Sequence, residues 1–361
     1  MATPFDFSKF YVLKLHLKLE KLHISIIIAV YQRHDELKEL LDSLVNQTDS
    51  EFEVVIVDDG SSTPLESLVK EYERQLRISY YYKENSGPAK SRNYGIERAK
   101  GNYFIFLDSD TIVPQSYIQI VRNELETHFV DAFGGPDAAD ESFSDLQKAI
   151  SFSMTSVWTT GGIRGGKKHL GKFQPRSFNM GISKEAFEAT GGFGNLRIGE
   201  DPDLSMTLWE KGFETRLFPT AKVYHKRRTS LRKFAKQVRQ FGIARPILNK
   251  RHPKYVKPTF WFPTLFSLGL IGSILLYILS FSAQESFRIL VSLPFLFYIF
   301  YFQFIILMAA MQFDSLKIGF LAALTTLIQF FNYGFGFLNS WIRINLFRQN
   351  PEKAFPAHFS K

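Results

Sequence analysis

Short apolar runs alternate with amphipathic segments over the first third of the chain. Ile24–Val30 is a β-branched run of the kind that is buried on both faces in parallel sheets. Residues 34–47 follow with leucines on one face and acidic residues in the first turn, which predicts a helix. The alternation continues with predicted strands at 53–57, 78–82 and 103–107 and predicted helices at 64–75 and 89–100. This order indicates right-handed βαβ units and a doubly wound α/β sheet.

The pattern becomes less regular after residue 110. It predicts helices at 115–127 and 145–158, strands at 130–134 and 178–183, a helix ending at Glu210 and a last strand at 216–222. Residues 160–172 are rich in Gly and Lys and form either a mobile lid or a plain surface loop. At the amino end, leucines alternate with polar residues, which predicts an extra edge strand or a membrane-surface extension at 1–22.

Three long apolar tracts follow from residue 259. Residues 260–281, 289–311 and 318–341 each exceed twenty residues with almost no charge. A helix of that length is about 30 Å long, which is enough to cross the hydrocarbon core of a membrane. We therefore predict about three membrane helices. The expected organisation is an N-terminal extension (1–22), an α/β domain (23–221), a basic membrane-proximal segment (222–258), a membrane region (259–342) and a polar tail (343–361).

Charge changes this picture at the boundary before the apolar tracts. The net charge is +9, and thirteen Lys or Arg residues but no Asp or Glu lie between Lys222 and Lys257. Because a membrane tract follows at once, anionic lipid head groups are the expected partner of this block, and nucleic acid is not. The chain has no Cys and therefore no disulfide framework or thiolate metal site.

The amino end shows no secretory signal, so the α/β domain is expected in the cytoplasm. The basic block places its own side of the membrane in the cytoplasm as well. Three spans would then put the basic tail outside, which the positive-inside rule disfavours. A two-span arrangement with one re-entrant or interfacial helix therefore remains open, in a multi-pass protein of the inner (cytoplasmic) membrane.

The candidate chemistry begins with two aspartates after the predicted strand at 103–107. Side chains of an extended chain alternate between faces, so Asp108 and Asp110 point the same way past Ser109. Open α/β sheets bind their ligands at the carboxyl ends of the strands. Two carboxylates there suit a hard divalent cation and a phosphorylated substrate, although an isolated pair is more often a polar turn.

The order of further motifs raises the significance of this pair. The motif AVYQR lies at the end of the first strand, and VDDGSS lies at the end of the second. NSGPAKSRNYG then opens a helix, and FLDSD ends a later strand. GEDPDL and His225 follow further along the chain. This series closely resembles the family 2 glycosyltransferases of the GT-A fold, over residues 24–245. The resemblance implies a GT-A nucleotide-sugar-binding sheet, a UDP- or GDP-linked sugar donor, a Mg²⁺ or Mn²⁺ ion and inversion at the anomeric carbon.

The resemblance also assigns roles to single residues. Asp108 and Asp110 match the metal-binding DxD motif. Asp110 is the expected direct metal ligand, and Asp108 is expected to contact both the metal and the nucleotide. Asp201 of the Glu200-Asp201 pair matches the general base, and His225 matches a histidine that closes the metal–diphosphate site in some members. The expected nucleotide-sugar contacts are Ala29, Val30, Tyr31, Asp58, Asp59, Lys90 and Arg92.

Some positions depart from the family pattern. The family often has Pro where this chain has Ala29, and Asn where it has Gln32, which affects the expected nucleoside contacts. Its processive members carry a QxxRW signature, whereas the segment from Gln240 to Arg245 contains no Trp. That difference favours transfer of a single sugar over synthesis of a polymer.

The expected function is a membrane-anchored inverting glycosyltransferase that extends a lipid-linked glycan in cell-surface or exopolysaccharide assembly. A polyprenyl-phosphate sugar synthase is the alternative within the same class. A catalytically silent, sugar-nucleotide-binding membrane scaffold is the alternative outside it. A dinucleotide-dependent dehydrogenase is disfavoured because no Gly-rich fingerprint follows the first strand.

Overall fold

A computed structural model describes residues 21–138, 143–160, 172–225, 229–282 and 284–360. The strands are β1 (Ile24–Val30), β2 (Phe52–Asp58), β3 (Ile78–Tyr82), β4 (Tyr103–Leu107), β5 (Thr111–Ile112), β6 (Ala132–Gly134), β7 (Asp137–Ala138), β8 (Asn179–Ser183), β9 (Thr215–Leu217) and β10 (Val223–His225). The helices up to the basic block are α1 (His34–Val45), α2 (Glu66–Lys70), α3 (Pro88–Ile96), α4 (Tyr117–Thr127), α5 (Asp145–Thr155), α6 (Val157–Thr160), α7 (Lys184–Thr190) and α8 (Glu200–Glu210). They are followed by α9 (Leu231–Arg251), α10 (Phe262–Leu279), α11 (Glu285–Phe313), α12 (Leu316–Trp341) and α13 (Pro351–Ala354).

The described residues form two compact units. The first takes its residues from the ranges Met1–Pro136, Lys172–Gly194 and Thr207–Val223. The second takes them from Asp137–Gly171, Asn195–Met206 and Tyr224–Lys361.

A seven-stranded mixed sheet forms the centre of the first unit. Its strand order is β3-β2-β1-β4-β8-β6-β9. β1 pairs in parallel with both β2 and β4, while β8 runs antiparallel to β4 and to β6. The central strands are buried because their side chains are apolar on both faces, as Ile26, Ile27 and Ile28 show with no exposed surface. The predicted α/β class with a mixed sheet is confirmed.

One glycine permits close ring packing where the sheet turns antiparallel. A Cβ at Gly181 would lie 2.0 Å from the ring of Phe133 on the neighbouring strand β6. Phe133 in turn stacks on Phe218 with ring centroids 4.5 Å apart. This aromatic pair belongs to the buried core on one side of the sheet.

Several predicted boundaries are corrected by the structure. The last strand predicted at 216–222 is wrong, because β9 ends at Leu217 and the chain resumes an extended form only at Val223. Pro219 lies between the two and has no N–H to donate to a sheet. The helices predicted at 64–75 and 89–100 end earlier, at Lys70 and Ile96. The predicted features in residues 1–20 and 161–171 lie outside the described residues.

The second unit contains α5, α6, α9 and the apolar helices. α9 occupies most of the basic block, for which the sequence reading predicted no helix. Among the described residues, three segments are long and apolar enough to cross a membrane: Pro258–Leu279, Glu285–Phe313 and Leu316–Leu346, with mean hydropathies of 2.0, 2.2 and 1.4. The prediction of three apolar helices at the carboxyl end is confirmed, and these helices indicate membrane association.

Candidate functional site

The predicted nucleotide and metal residues of the first unit follow the carboxyl ends of adjacent parallel strands. In the register of β1 and β2, Val30 lies opposite Asp58, and in that of β1 and β4, Ile27 lies opposite Phe106. The chain therefore brings Tyr31, Asp59 and Asp108 out at the same edge of the sheet. This edge is the candidate site of the first unit.

Asp108 is held by an arginine from the helix that opens after NSGP. Arg92 Nη2 donates to Asp108 Oδ1 at 2.8 Å. Arg92 is 4% exposed, and its guanidinium carbon lies 5.4 Å from the ring centroid of Phe193. Its planar group is thus fixed between a carboxylate and an aromatic face, which suits recognition of a phosphate.

Asp110 forms an ion pair with Arg33, which follows β1. Arg33 Nη1 donates to Asp110 Oδ2, and the Asp110 side chain is 10% exposed. Burial alone lowers the pKa of Arg33, but the charge and hydrogen bond of Asp110 outweigh it and raise that pKa above its ordinary value. Arg33 was not among the site residues predicted from the sequence.

The residues present fit a small divalent cation only together with a phosphorylated substrate. Within the described parts of the chain, no group of three or more His, Asp or Glu side chains could hold an ion. Mg²⁺ sites commonly use one or two carboxylates and complete the shell with water and substrate phosphates. Asp108 and Asp110 match that donor set, and each carries a cationic partner that a metal would replace or that would turn to the phosphates.

Asp59 connects the end of β2 to the loop that precedes α3. Its carboxylate accepts hydrogen bonds from Lys83 Nζ at 2.8 Å, from the backbone N–H groups of Ser86 and Gly87 at 2.9 and 2.8 Å, and from Ser91 Oγ at 2.8 Å. Burial raises the pKa of Asp59, but these donors outweigh it and hold the pKa below its ordinary value. The carboxylate therefore shapes the NSGP loop.

Asp58 is fully buried and serves the turn after β2. Its oxygens accept from the backbone N–H of Ser61 at 2.9 Å and from Tyr80 Oη at 2.8 Å. The burial of Tyr80 and its bond to Asp58 raise the pKa of the phenol. The contacts of Asp58 within the turn are observed in the structure, whereas a contact between Asp58 and a nucleotide stays a prediction.

The other predicted nucleotide-sugar residues differ in exposure. Tyr31 is 48% exposed and Lys90 is also exposed, so both side chains are accessible. Val30 is 2% exposed and Ala29 is half-buried within β1. Contacts from these two residues would therefore come mainly from their backbone.

The predicted catalytic residues lie at the start of α8, in the second unit. Glu200 is 8% exposed and Asp201 is half-buried. Asp203, two residues further on, lies 2.9 Å from His252 Nε2 through Oδ1 and accepts from Arg251 Nη1 at 2.9 Å through Oδ2. The carboxyl end of α9 therefore fixes the helix that carries Asp201.

Sequence reasoning missed these supporting residues. Arg33 lies in the quoted AVYQR motif, so its nearness to the DxD strand could have been found from the motif order. Asp203, Arg251 and His252 gave no such signal, because the fold joins the two segments across about fifty residues. His225 ends β10, and its side chain lies outside the part of the structure that is described.

Comparison with known proteins identifies the segment that contains this edge of the sheet. Residues 25–191 match the family described as Glycosyl transferase family 2. This segment is a glycosyltransferase family 2 domain. The family resemblance inferred from the motif order is thereby confirmed.

Two curated relatives that match the glycosyltransferase domain are much longer than this chain. An uncharacterized glycosyltransferase of Rickettsia bellii is 33% identical over 133 residues, which cover 37% of this chain and 19% of the relative. The glycosyltransferase GlyA of Streptococcus pneumoniae is 35% identical over 109 residues, which cover 30% of this chain and 16% of the relative. This chain thus spans less than a fifth of either protein.

A solved structure shows the same fold over most of the chain. The mannosyltransferase PcManGT of Pyrobaculum calidifontis, solved with GDP-Man and Mn²⁺, has a TM-score of 0.56 and 16% identity. The similarity covers 88% of this chain and 94% of PcManGT. At that identity the likeness shows the GT-A fold.

Proposed function

We propose that this protein is a membrane-anchored inverting glycosyltransferase that moves a sugar from a nucleotide-diphosphate sugar to a hydroxyl of a lipid-linked glycan. The observation that carries the proposal is the pairing of Asp108 with Arg92 and of Asp110 with Arg33 at the end of β4. Within a glycosyltransferase domain, two carboxylates and two guanidinium groups at this edge suit a metal-bound diphosphate.

The leaving group sets the first chemical requirement. A bound Mg²⁺ or Mn²⁺ held by Asp110 and Asp108 would neutralise the charge that develops on the diphosphate. Arg33 and Arg92 then face the phosphates as additional donors, since each carries a guanidinium beside a carboxylate of the pair. PcManGT was solved with Mn²⁺, which supports a divalent ion for this chain as well.

The acceptor sets the second requirement. Its hydroxyl oxygen forms a bond to the anomeric carbon while the bond from that carbon to the diphosphate oxygen breaks. The nucleoside diphosphate departs with the electron pair, and the hydroxyl proton passes to Asp201. A single displacement inverts the anomeric centre. Glu200, beside the base, is proposed to assist at the same step.

Donor recognition is assigned to the strand ends of the first unit. Ala29, Val30 and Tyr31 are proposed to line the nucleoside, with Lys90 towards the phosphates. Asp59 and Asp58 are proposed to contact the base or ribose, Asp59 partly through the NSGP loop that it shapes. His225 is proposed to complete the metal–diphosphate site.

The three apolar helices support the proposed acceptor class and location. A catalytic domain fixed to the cytoplasmic face of the inner membrane meets a lipid-linked acceptor at raised effective concentration. We propose a role in cell-surface or exopolysaccharide assembly.

A panel of nucleotide sugars tests this function directly. The full chain in detergent is mixed with each UDP- and GDP-sugar, GDP-mannose included, with Mg²⁺, Mn²⁺ or chelator, and release of nucleoside diphosphate is measured. We expect metal-dependent release with one donor, increased by a lipid-linked glycan acceptor. Increase by polyprenyl phosphate alone would instead indicate the sugar-carrier synthase, and absence of donor binding would indicate the scaffold.

A further inference from the structure

Helix α12 is joined at its amino end to α5 of the same unit. Lys317 Nζ lies 2.8 Å from Asp145 Oδ2 at the starts of the two helices. Two turns further along, Ser153 Oγ lies 2.6 Å from Thr325 Oγ1, and both residues have no exposed surface. Side chains of α5 and α12 also share an apolar cluster. The first half of α12 is thus packed against a segment that precedes all the apolar tracts.

The carboxyl end of α12 is joined to α9, and the tail after it is joined to the segment before Asp201. Ser340 Oγ donates to the carbonyl of Ile243 in α9 at 2.9 Å. The tail then pairs with residues 195–197: the N–H of Ser360 donates to the carbonyl of Asn195, and the N–H of Arg197 donates to the carbonyl of His358, each at 2.8 Å. The amino half of α12 is therefore fastened to α5, and the tail after its carboxyl end is fastened to the segment before the proposed base.

These attachments conflict with a membrane crossing by α12. The helix is about 39 Å long, longer than the roughly 30 Å of hydrocarbon, so a crossing would separate its ends onto opposite sides. Asp145 and Asn195 would then lie on opposite sides as well. Yet every candidate span among the described residues lies after Lys257. The described residues between Asp145 and Asn195 thus include no segment that could cross.

The neighbour of α12 gives a second, independent reason. α9 packs along its carboxyl half so closely that a Cβ at Gly242 would lie 2.2 Å from the carbonyl oxygen of Tyr333, and one at Gly336 would lie 2.6 Å from that of Arg239. α9 carries seven Lys or Arg residues in 21 positions. A helix of that charge is excluded from hydrocarbon, so α12 must lie where its partner can remain in water or among head groups.

The other two apolar helices have the opposite character. α10 and α11 expose large apolar side chains along their length, among them Leu265, Leu276, Leu290, Phe297 and Phe300. Tyr277 stacks on Phe295 with centroids 5.4 Å apart, so the two helices lie side by side near their connection. The polar and charged residues Ser280, Ser282, Gln284, Glu285 and Arg288 lie at or next to that connection.

From these observations we propose that α10 and α11 form a two-span hairpin and that α12 lies along the membrane surface. Its exposed apolar residues Leu316, Phe320, Leu324 and Phe335 would face lipid, while α5 and α9 cover the other side. The carboxyl terminus then lies on the same side as the catalytic domain. Arg343, Arg348 and Lys353 join the basic helix on that side, which satisfies the positive-inside rule.

The proposal rests on the membrane placement given above and extends it to one orientation. It also links the lipid surface to catalysis, because α9 and the tail that contact α12 hold the segment on either side of Asp201. A lipid-linked acceptor would arrive at the surface to which this helix layer is attached.

Single cysteines test the arrangement in the full chain, which has none of its own. Exposed positions are available on the catalytic domain (Glu126→Cys), at the hairpin connection (Gln284→Cys) and on the tail (Ala357→Cys). Each variant is labelled with a membrane-impermeant maleimide in intact spheroplasts and in inverted membrane vesicles. We expect residues 126 and 357 to be labelled in inverted vesicles and residue 284 in spheroplasts.

Labelling of residue 357 together with residue 284 would overturn the proposal in favour of three spans. Labelling of all three residues in inverted vesicles alone would also overturn it, because the hairpin would not cross. Recovery of the protein outside the membrane fraction would instead refute the membrane placement. The nucleotide-release assay in detergent depends on none of these results, so failure of the topology and failure of the proposed activity are distinguishable.

Discussion

Asp203 and His252 form a buried pair, 2.9 Å apart, that ties the helix carrying Asp201 to the end of α9. The second carboxylate oxygen of Asp203 accepts from Arg251, which also donates to the side chain of Asn195. Glu352 of the tail accepts from the same asparagine at 3.0 Å. The proposed base is therefore positioned by residues that lie up to 151 positions further along the chain.

We expect Asp203→Ala to lower the free energy of unfolding by about 1–3 kcal/mol, because His252 and Arg251 lose their acceptor. We also expect kcat to fall about tenfold or more while donor affinity is kept, since small displacements of a catalytic group are costly. Donor affinity is measured by calorimetry and kcat by turnover, both on the same preparation, so that the two effects can be compared. Lys211→Ala, in the exposed turn after α8, is the control. Equal losses of kcat and donor affinity would contradict a positioning role.

The lowered pKa of Asp59 leads us to expect that the stability of the folded protein decreases in acid. Its pKa lies below the ordinary 3.8 in the folded protein, so the stabilisation it provides is complete above about pH 5. That stabilisation is lost as the pH falls through 3.8 towards the lower folded pKa. We expect Asp59→Asn to be less stable than the parent at pH 7 and to lose less stability between pH 5 and 3. Thermal unfolding in detergent measures this.

Asp35→Asn on the exposed start of α1 is the matched control for replacing an aspartate by its amide. An Asp59→Asn variant whose stability falls with acid as steeply as the parent's would show that another group is responsible.

Gly242 lies where α9 and α12 approach too closely to accept a larger side chain. Alanine favours helix by about 1 kcal/mol over glycine, but a Cβ here would lie 2.2 Å from the carbonyl oxygen of Tyr333. We expect Gly242→Ala to lower the melting temperature. Gly272→Ala is the matched control, because a Cβ there meets nothing within 4 Å. An unchanged or raised melting temperature for Gly242→Ala would contradict the close packing of the two helices.

The Arg33–Asp110 pair predicts competition between the guanidinium and the metal. We expect Arg33→Gln to raise the affinity of the donor-free protein for Mn²⁺ about two- to fivefold, which corresponds to the free energy of a partly exposed ion pair. The same variant should bind the nucleotide sugar more weakly. Electron paramagnetic resonance of free Mn²⁺ measures the first effect. Arg77→Gln removes an exposed pair with Glu51 and should change neither affinity; unchanged Mn²⁺ affinity in Arg33→Gln would exclude competition.

Local patterns predicted most of the fold because its strands are apolar and short. β1, β3 and β4 have the predicted boundaries, since each is bounded by polar or turn residues that end the apolar run. The basic helix α9 was missed because its charges mask the apolar positions, such as Phe234 and Val238, that pack against α5. The prediction of a strand at 216–222 was wrong because it gave the apolar pattern more weight than the proline at position 219.

The candidate site was predictable where function resides in local motifs. Asp108, Asp110 and Arg92 follow from motif order, and the structure places Arg92 on Asp108. The pairing of Asp203 with His252 required the tertiary fold, because neither residue carries a local pattern that selects the other. The division of Asp58 and Asp59 between a buried turn and the NSGP loop likewise depended on which backbone N–H groups each could reach.

The central claim is that Asp201 takes the acceptor proton in a glycosyl transfer. Asp201→Asn keeps the size and shape of the side chain and removes its basicity. We predict that this variant binds the nucleotide sugar within about twofold of the parent but transfers it about 10²–10⁴ times more slowly, the usual contribution of a general base. Donor binding by calorimetry and transfer to acceptor, measured on the same preparation, provide the test. A variant that binds and transfers at the parent's rate would contradict the account.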